Sequence, residues 1–386
     1  MKYGILRCWL LLSVVFLAAC GNTDREAASN SAVAAASNEA LAVASAAPSA
    51  AQTAASVAAS AAPSAAASAK PTARPSPTPL PTPGPNEFVN PVIAQDFPDP
   101  DIVKVGDTYY AYATNAGGTN VQTAKSTDLV AWQPLGDAMP SLPQWVQPGL
   151  TWAPEVTTWD DGQTFTMYFT ARDIASDKQC IGVATSNNPE GPFNGVGDKA
   201  FICQAEQGGS IDASSFLEDD GTQYVLWKND GNCCGYPVYL YIQKVSEDGL
   251  TLEGEPTQLI TNDQSWEGNL VEAPTLWKHN GKYYLLYSAN SYAGADYATG
   301  WAVADTPTGP FAKPSSKPLM ETDYKTGAAI GPGGQDVIVD KDGETWIAYH
   351  SWDPTATMRR MLLDELVWEN GQPVVKGPDK GPQPNP

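Results

Sequence analysis

From Glu87 onward the chain alternates apolar and polar residues in short runs, most of them bounded by Asp-Gly, Asn-Gly or similar pairs. No stretch keeps a 3.6-residue period over a dozen positions, so the pattern predicts strands rather than helices. The runs also repeat. GDTYYAYAT (from Gly106), GQTFTMYFT (Gly162), GTQYVLWKN (Gly221), GKYYLLYSA (Gly281) and GETWIAYHS (Gly343) each place an aromatic three residues after the glycine and Tyr or Trp six after it. The glycines lie 56, 59, 60 and 62 residues apart. Each segment reads as a hairpin, with an inner strand ending at the turn and an aromatic strand leaving it. A third strand follows in TAKSTDLVAW (123–132), GVATSNNPEGPF (182–193) and WAVADTPTGPF (301–311). Five small antiparallel sheets at near-equal spacing predict an all-β fold, a five-bladed β-propeller. A two-sheet sandwich gives no reason for five near-equal repeats.

The first 86 residues follow another pattern. MKYGILRCWLLLSVVFLAAC has two early cations, then an apolar run from Trp9 to Phe16 that is too short to span a bilayer permanently. Its last four residues, Leu17-Ala18-Ala19-Cys20, look like a bacterial lipobox, so residues 1–19 are expected to be a signal peptide and Cys20 the lipidated first residue. An Ala/Ser-rich run follows, and then PTARPSPTPLPTPGPN, a composition that offers no core. Residues 20–86 therefore read as a lipidated cysteine with a disordered tether, its Pro-rich end extended at about 3.1 Å per residue. The globular domain is expected over 87–386, exported and held at the cell surface.

Composition narrows the partners. The 386 residues carry 22 Lys and Arg against 43 Asp and Glu, and 34 of the 37 Trp, Tyr and Phe fall after residue 86. With two histidines in all, such an acidic, aromatic surface suits neutral ligands such as sugars, not nucleic acid or phosphates. A monomer is expected. Four cysteines remain in the exported domain, where disulfides are permitted. Cys180 and Cys203 flank a strand of the second repeat and are the expected bridge. For the adjacent Cys233 and Cys234 the alternatives are a vicinal disulfide, two thiols, or pairing with the other two. Metal binding is the weakest reading, since no Cys-x-x-Cys occurs and no histidine lies nearby.

In a propeller the first strand of each blade lines the central channel, so residues opening those strands meet at one mouth. Asp212 lies nine residues before Gly221, Glu272 nine before Gly281, and Asp99 seven before Gly106 in a shorter unit. Three carboxylates so placed, in apolar or Pro-bracketed surroundings, are costly to keep unless they act. Two carboxylates across an anomeric carbon can hydrolyse a glycoside, one protonating the leaving oxygen and the other activating water. A third near the acid raises its pKa and orients it. Rival machinery is missing: the sequence has no Gly-x-Ser-x-Gly and no Gly-x-x-x-x-Gly-Lys motif.

The segments NPVIAQDFPDPDIVKVGDTYYAYAT, TWAPEVTTW, GSIDASSFLEDDGTQYVLW, VEAPTLWKHNGKYYLLYSA and GPGGQDVIVDKDGETWIAYHSWDP together resemble glycoside hydrolase family 43, from about Asn90 to Pro382. The resemblance implies a five-bladed propeller and an inverting enzyme acting on α-L-arabinofuranosides or β-D-xylosides. Carried over by position, Asp99 in Phe-Pro-Asp-Pro-Asp matches the general base, Asp212 in Ser-Ile-Asp-Ala the pKa-modulating aspartate, and Glu272 in Val-Glu-Ala-Pro the general acid. Trp152 looks like an aromatic lining the terminal-sugar pocket, with an ordinary core tryptophan as the alternative. Of Arg359 and Arg360, which face opposite ways on a strand, Arg359 is expected to bind sugar. No cofactor is required. Many relatives read Gly-Pro-Gly-His in the last blade, where the histidine helps hold a Ca²⁺ or similar ion in the channel, whereas this chain reads Gly331-Pro332-Gly333-Gly334 and lacks that ligand, so a structural Ca²⁺ there is left as an open alternative. The expected substrate is arabinan or arabinoxylan, attacked from chain ends or side chains to release arabinofuranose. A β-xylosidase and an endo-arabinanase are the alternatives within the family. A non-catalytic sugar-binding propeller is the alternative outside it, and the presence of all three carboxylates argues against that.

Overall fold

The computed structural model describes residues 82–159 and 163–386. The expected signal peptide, Cys20 and all of the expected tether except residues 82–86 lie outside the described residues. Among these residues the regular structure is strand, with three short 3-10 turns and no α-helix.

A short strand, β1 (Glu87–Phe88), precedes five antiparallel sheets laid out in sequence order. Blade one is β2 (Asp101–Val105), β3 (Thr108–Ala113), β4 (Gln122–Ser126) and β5 (Gln133–Asp137). Blade two is β6 (Val146–Thr157), β7 (Phe165–Asp173), β8 (Lys178–Ser186) and β9 (Asn194–Gly195). Blade three is β10 (Ser210–Leu217), β11 (Gln223–Asn229), β12 (Tyr239–Val245) and β13 (Leu252–Thr261). Blade four has three strands, β14 (Val271–His279), β15 (Lys282–Ala289) and β16 (Ala298–Ala304). Blade five is β17 (Gly333–Val339), β18 (Thr345–Trp352), β19 (Arg359–Glu369) and β20 (Gln372–Val375). The propeller is thus five-bladed, as the repeats predict. A last strand, β21 (Gln383–Pro384), pairs with β1.

Hydrophobic burial holds the blades to one another. Five buried clusters each fill one interface between neighbouring blades, including one between blades five and one that contains Trp346 and Met361 with Ile102 and Tyr109. The aromatics six residues after each repeat glycine, Tyr112, Tyr168, Trp227, Tyr287 and Tyr349, are all fully buried. At the seam the leading segment is stitched to β19: the Val92 N–H donates to the Met361 carbonyl at 3.0 Å and the Phe97 N–H to the Arg359 carbonyl at 2.7 Å. That stitching closes the ring and sets Asp99 beside Arg359.

The repeat glycines do not mark the same rung in every blade, because turn lengths differ. Val105 pairs directly with Thr108 in blade one, whereas Leu217 pairs with Gln223 in blade three and His279 with Lys282 in blade four. Register therefore gives a different equivalence from counting. Ile211 pairs with Lys228 and Glu272 with Ser288, so Glu272 matches Ile211, while Asp212 matches Ala273. Asp212 and Glu272, both nine residues from their glycines, stand one rung apart.

Candidate active site

Each blade opens with one residue in the left-handed region: Asp99 (φ 54°), Ala153 (φ 39°), Asp212 (φ 56°), Ala273 (φ 49°) and Gly334 (φ 57°). Four of the five carry a Cβ, so the conformation is strained and must be held from outside. It is held by the preceding blade. The N–H of Ala153 donates to Thr114 Oγ1 at 2.9 Å, that of Asp212 to Thr170 Oγ1 at 3.1 Å, that of Gly334 to Ser288 Oγ at 2.9 Å, and that of Asp99 to His350 Nδ1 at 3.2 Å. Thr170, Ser288 and His350 occupy matching rungs on the second strands of blades two, four and five, Thr114 stands at that rung just past β3, and Lys228 occupies it in blade three. An ammonium cannot accept a hydrogen bond. The N–H of Ala273 goes instead to Asp212 Oδ2 at 3.1 Å.

Two rungs further in, the channel carries a second set of ties. Asp101 Oδ2 accepts the Val156 N–H at 2.8 Å, Glu155 Oε1 the Ser215 N–H at 2.8 Å, and Asp336 Oδ2 the Ile102 N–H at 2.9 Å. These carboxyls staple neighbouring blades. Burial, then the nearby carboxylates, raises Asp101 well above the usual range and Asp336 to about 8.

Beside these openings lies a cavity of about 350 Å³ at the channel mouth. Asp99, Asp212, Glu272, Trp152 and Arg359 all line it, with Thr114, Lys228, Tyr292, Tyr297 and Cys233. Trp152 pairs with Thr170 and stands on the same rung as Glu272. Arg359 turns into the cavity and Arg360, next along β19, does not. The Arg359 guanidinium lies over the Tyr292 ring at 4.8 Å and the Trp352 ring at 5.9 Å, with Nη1 3.4 Å from Asp99 Oδ1.

The electrostatics of the three carboxyls differ. Burial would raise Asp99, but Arg359 and His350 beside it, together with a 2.7 Å hydrogen bond from Thr114 Oγ1, outweigh burial and hold it well below the usual carboxylate range. Asp99 is therefore ionised, as an acceptor of protons must be. Burial lowers His350 as well, so near neutral pH its ring is uncharged and Nδ1 accepts the Asp99 N–H, whereas at the acid pH where Asp99 titrates a charged ring helps hold that carboxylate. Asp212 moves the other way, raised to about 8 by burial and by the neighbouring Glu272, with Lys228 offsetting part of the rise. Glu272 is buried, and its Oε2 receives Lys228 Nζ at 2.8 Å. The site thus separates one anion from a pair that retains a proton, the division that acid–base hydrolysis requires.

Cys180 and Cys203 form a disulfide that ties β8 to the segment after β9. Cys233 and Cys234 are joined to each other, and Cys233 forms part of the cavity wall. At Gly334, where the Gly-Pro-Gly-His pattern would place a metal-binding side chain, a Cβ would meet His350 Nδ1 at 2.6 Å and Asp99 Oδ1 at 2.7 Å. The His350 ring and the Asp99 carboxylate already fill that space. Among the described residues no group of three or more His, Cys, Asp and Glu is arranged to hold a metal ion. Gly334 itself supplies no side-chain donor to the channel.

Sequence reasoning missed Thr114, Lys228, His350, Tyr292 and Tyr297. A charged residue inside the apolar strand YVLWKN was the available signal for Lys228. Tyr292 and Tyr297 sit in the loop between β15 and β16, outside the repeated hairpin segments.

Comparison with known proteins agrees with this architecture. The chain is 35% identical to a thermostable family-43 glycoside hydrolase of known crystal structure, which superposes with a TM-score of 0.70 over 78% of this chain and 99% of the other. It is 28% identical to a β-D-galactofuranosidase of Aspergillus niger over 68% of this chain and 75% of that protein. It is 29% identical to an extracellular exo-α-(1→5)-L-arabinofuranosidase of Streptomyces avermitilis over 73% of this chain and 61% of that protein. Endo-arabinanases and β-xylosidases are also among its relatives. The sequence profile of Glycosyl hydrolases family 43 matches residues 88–373, and the chain belongs to that family.

Proposed function

We propose that the protein is an inverting, exo-acting α-L-arabinofuranosidase that trims arabinan or arabinoxylan, exported and held at the cell surface through lipid on Cys20. The observation that carries the catalytic reading is the convergence of Asp99, Asp212 and Glu272 on one cavity with Arg359 and Trp152. In the proposed reaction a water attacks the anomeric carbon as Asp99 takes its proton. The bond from that carbon to the leaving oxygen breaks, and Glu272 gives that oxygen its proton. Asp212, raised and adjacent, keeps the pair from losing both protons near neutral pH. Arg359 and Trp152 offer a sugar hydrogen-bond donors and a stacking face. Solvent then returns the proton from Asp99 and reprotonates the acid.

The relative from Streptomyces avermitilis supports arabinofuranose as the released sugar. Relatives that act on xylosides keep β-xylosidase as the second reading. A panel of aryl α-L-arabinofuranosides and β-D-xylopyranosides, with chromatography of products from linear arabinan, tests both choices. Monosaccharide alone from arabinan supports the exo reading, and early oligosaccharides would replace it with an endo-arabinanase.

A further inference from the structure

Lys228 breaks the five-fold pattern at the blade openings. In the four other blades its rung carries Thr114, Thr170, Ser288 or His350, each accepting the N–H of the strained residue opening the next blade. Lys228 is fully buried, and a buried ammonium is costly unless it is paired. Its Nζ lies 2.8 Å from Glu272 Oε2 and 3.7 Å from Asp230 Oδ1. The vacated acceptor role falls to Asp212 Oδ2, which takes the Ala273 N–H. One exchange of residue type thus ties both carboxyls of the pair.

We propose that Lys228 is a positioning residue for the proton donor: by taking an acceptor's rung it fixes the Glu272 carboxyl and makes Asp212 hold the strained turn at Ala273. The inference rests on the reading of Glu272 and Asp212 as acid and modulator. The groups facing this trio are Asp230 beside Lys228, Asp99 and Tyr297 across the cavity, Lys178 near Asp230, and the neutral His350 behind Asp99. Among them Lys228 is the cation that touches the pair directly, while Arg359 serves Asp99. Removing Lys228 leaves two adjacent carboxyls without that counter-charge, so the pair should hold its proton to higher pH.

Lys228→Thr, which supplies the side chain that blades one and two use at this rung, is the test. Lys228→Met, which keeps the stem without the charge, is the second variant. With a poor leaving group on the accepted sugar, kcat should fall about 10- to 100-fold, the size of a general-acid contribution, with KM changed by less than about threefold. On an activated aryl glycoside the fall should be less than about fivefold, because protonation matters less there. The basic limb of kcat/KM should move up by about half a pH unit or more. Glu272→Gln runs alongside as the control. A folded Lys228→Thr with wild-type rates and an unmoved limb overturns the proposal while leaving the site intact. Full activity of Glu272→Gln on the poor leaving group overturns the underlying assignment instead. Loss of fold in both Lys228 variants, judged by circular dichroism, overturns the positioning role in favour of a structural one.

Discussion

The backbone N–H of Asp99 donates to His350 Nδ1 at 3.2 Å across the seam between the first and last blades. The proposed base is therefore held by the far end of the chain, in a left-handed turn that an aspartate does not adopt freely. His350→Ala leaves that N–H unpaired in a buried place, at a cost of about 1–3 kcal/mol. It also removes one of the groups that keep Asp99 low. Urea unfolding should show the loss of stability, and the acidic limb of kcat/KM should move up, toward but not reaching the ordinary aspartate value of about 4, because Arg359 remains. A limb that does not move would mean that His350 supports the fold without setting the charge of Asp99.

The pair of Asp212 and Glu272 sets the other limb. Its pH position belongs to the pair rather than to either carboxyl, and the raised member lies at about 8. The wild-type kcat/KM should accordingly fall as pH rises through about 8. Asp212→Asn removes the like charge and should shift that fall to lower pH, opposite in sign to the shift expected for Lys228→Thr. A pH–rate profile of both variants on one substrate checks the two signs together.

Stereochemistry follows from the role of Asp99. A base that activates water, rather than attacking the anomeric carbon itself, stands apart from the acid by about 6.5–9.5 Å and inverts the configuration. Proton NMR of the first-formed sugar should show the inverted anomer before mutarotation mixes it. Retention would turn Asp99 into a nucleophile.

The fold was legible because a propeller writes its architecture as a repeat: the hairpin glycines and buried aromatics such as Tyr112 and Tyr349 recur once per blade. The cavity residues Asp99, Asp212 and Glu272 were legible as carboxylates opening strands and through the family resemblance. Their relative placement was not. Turn lengths differ between hairpins, so counting from Gly221 and Gly281 put Asp212 and Glu272 on one rung where the pairing sets them one apart. The support of the site was less legible still, because Thr114, Lys228 and His350 act on the next blade, and contacts between blades leave no local signature in sequence. Arg359 could be chosen over Arg360 only by family likeness until the stacking on Tyr292 and Trp352 set its direction.

The proposed anchor is independent of the propeller. Cys20→Ala should leave activity per molecule unchanged and release the protein from the membrane fraction, since a lipid on its sulfur is the proposed hold. Fractionation with an activity assay reads both. Retention of the variant at the membrane would refute lipidation at Cys20, and loss of activity would give the segment before residue 87 a role beyond tethering.

The sharpest test separates acid from modulator, because the geometry gives each a claim. Glu272 is the carboxyl that Lys228 fixes, whereas Asp212 is the one raised to about 8. A general acid matters most when the leaving group is poor, since a good leaving group departs without protonation and hides the loss. Glu272→Ala should lose about 10²- to 10⁴-fold on arabinan yet be relatively spared on an activated aryl arabinofuranoside. Asp99→Ala removes water activation, which both substrates need, and should fail on both alike. Asp212→Ala should lose rate on both and lower the pH of the basic limb, because the pair loses the like-charge repulsion that holds its shared proton. It should also loosen the turn at Ala273, whose N–H loses its acceptor. If leaving-group dependence appears in Asp212→Ala and not in Glu272→Ala, the proton is delivered by the raised aspartate, and Lys228 holds Glu272 as the charge that keeps Asp212 protonated.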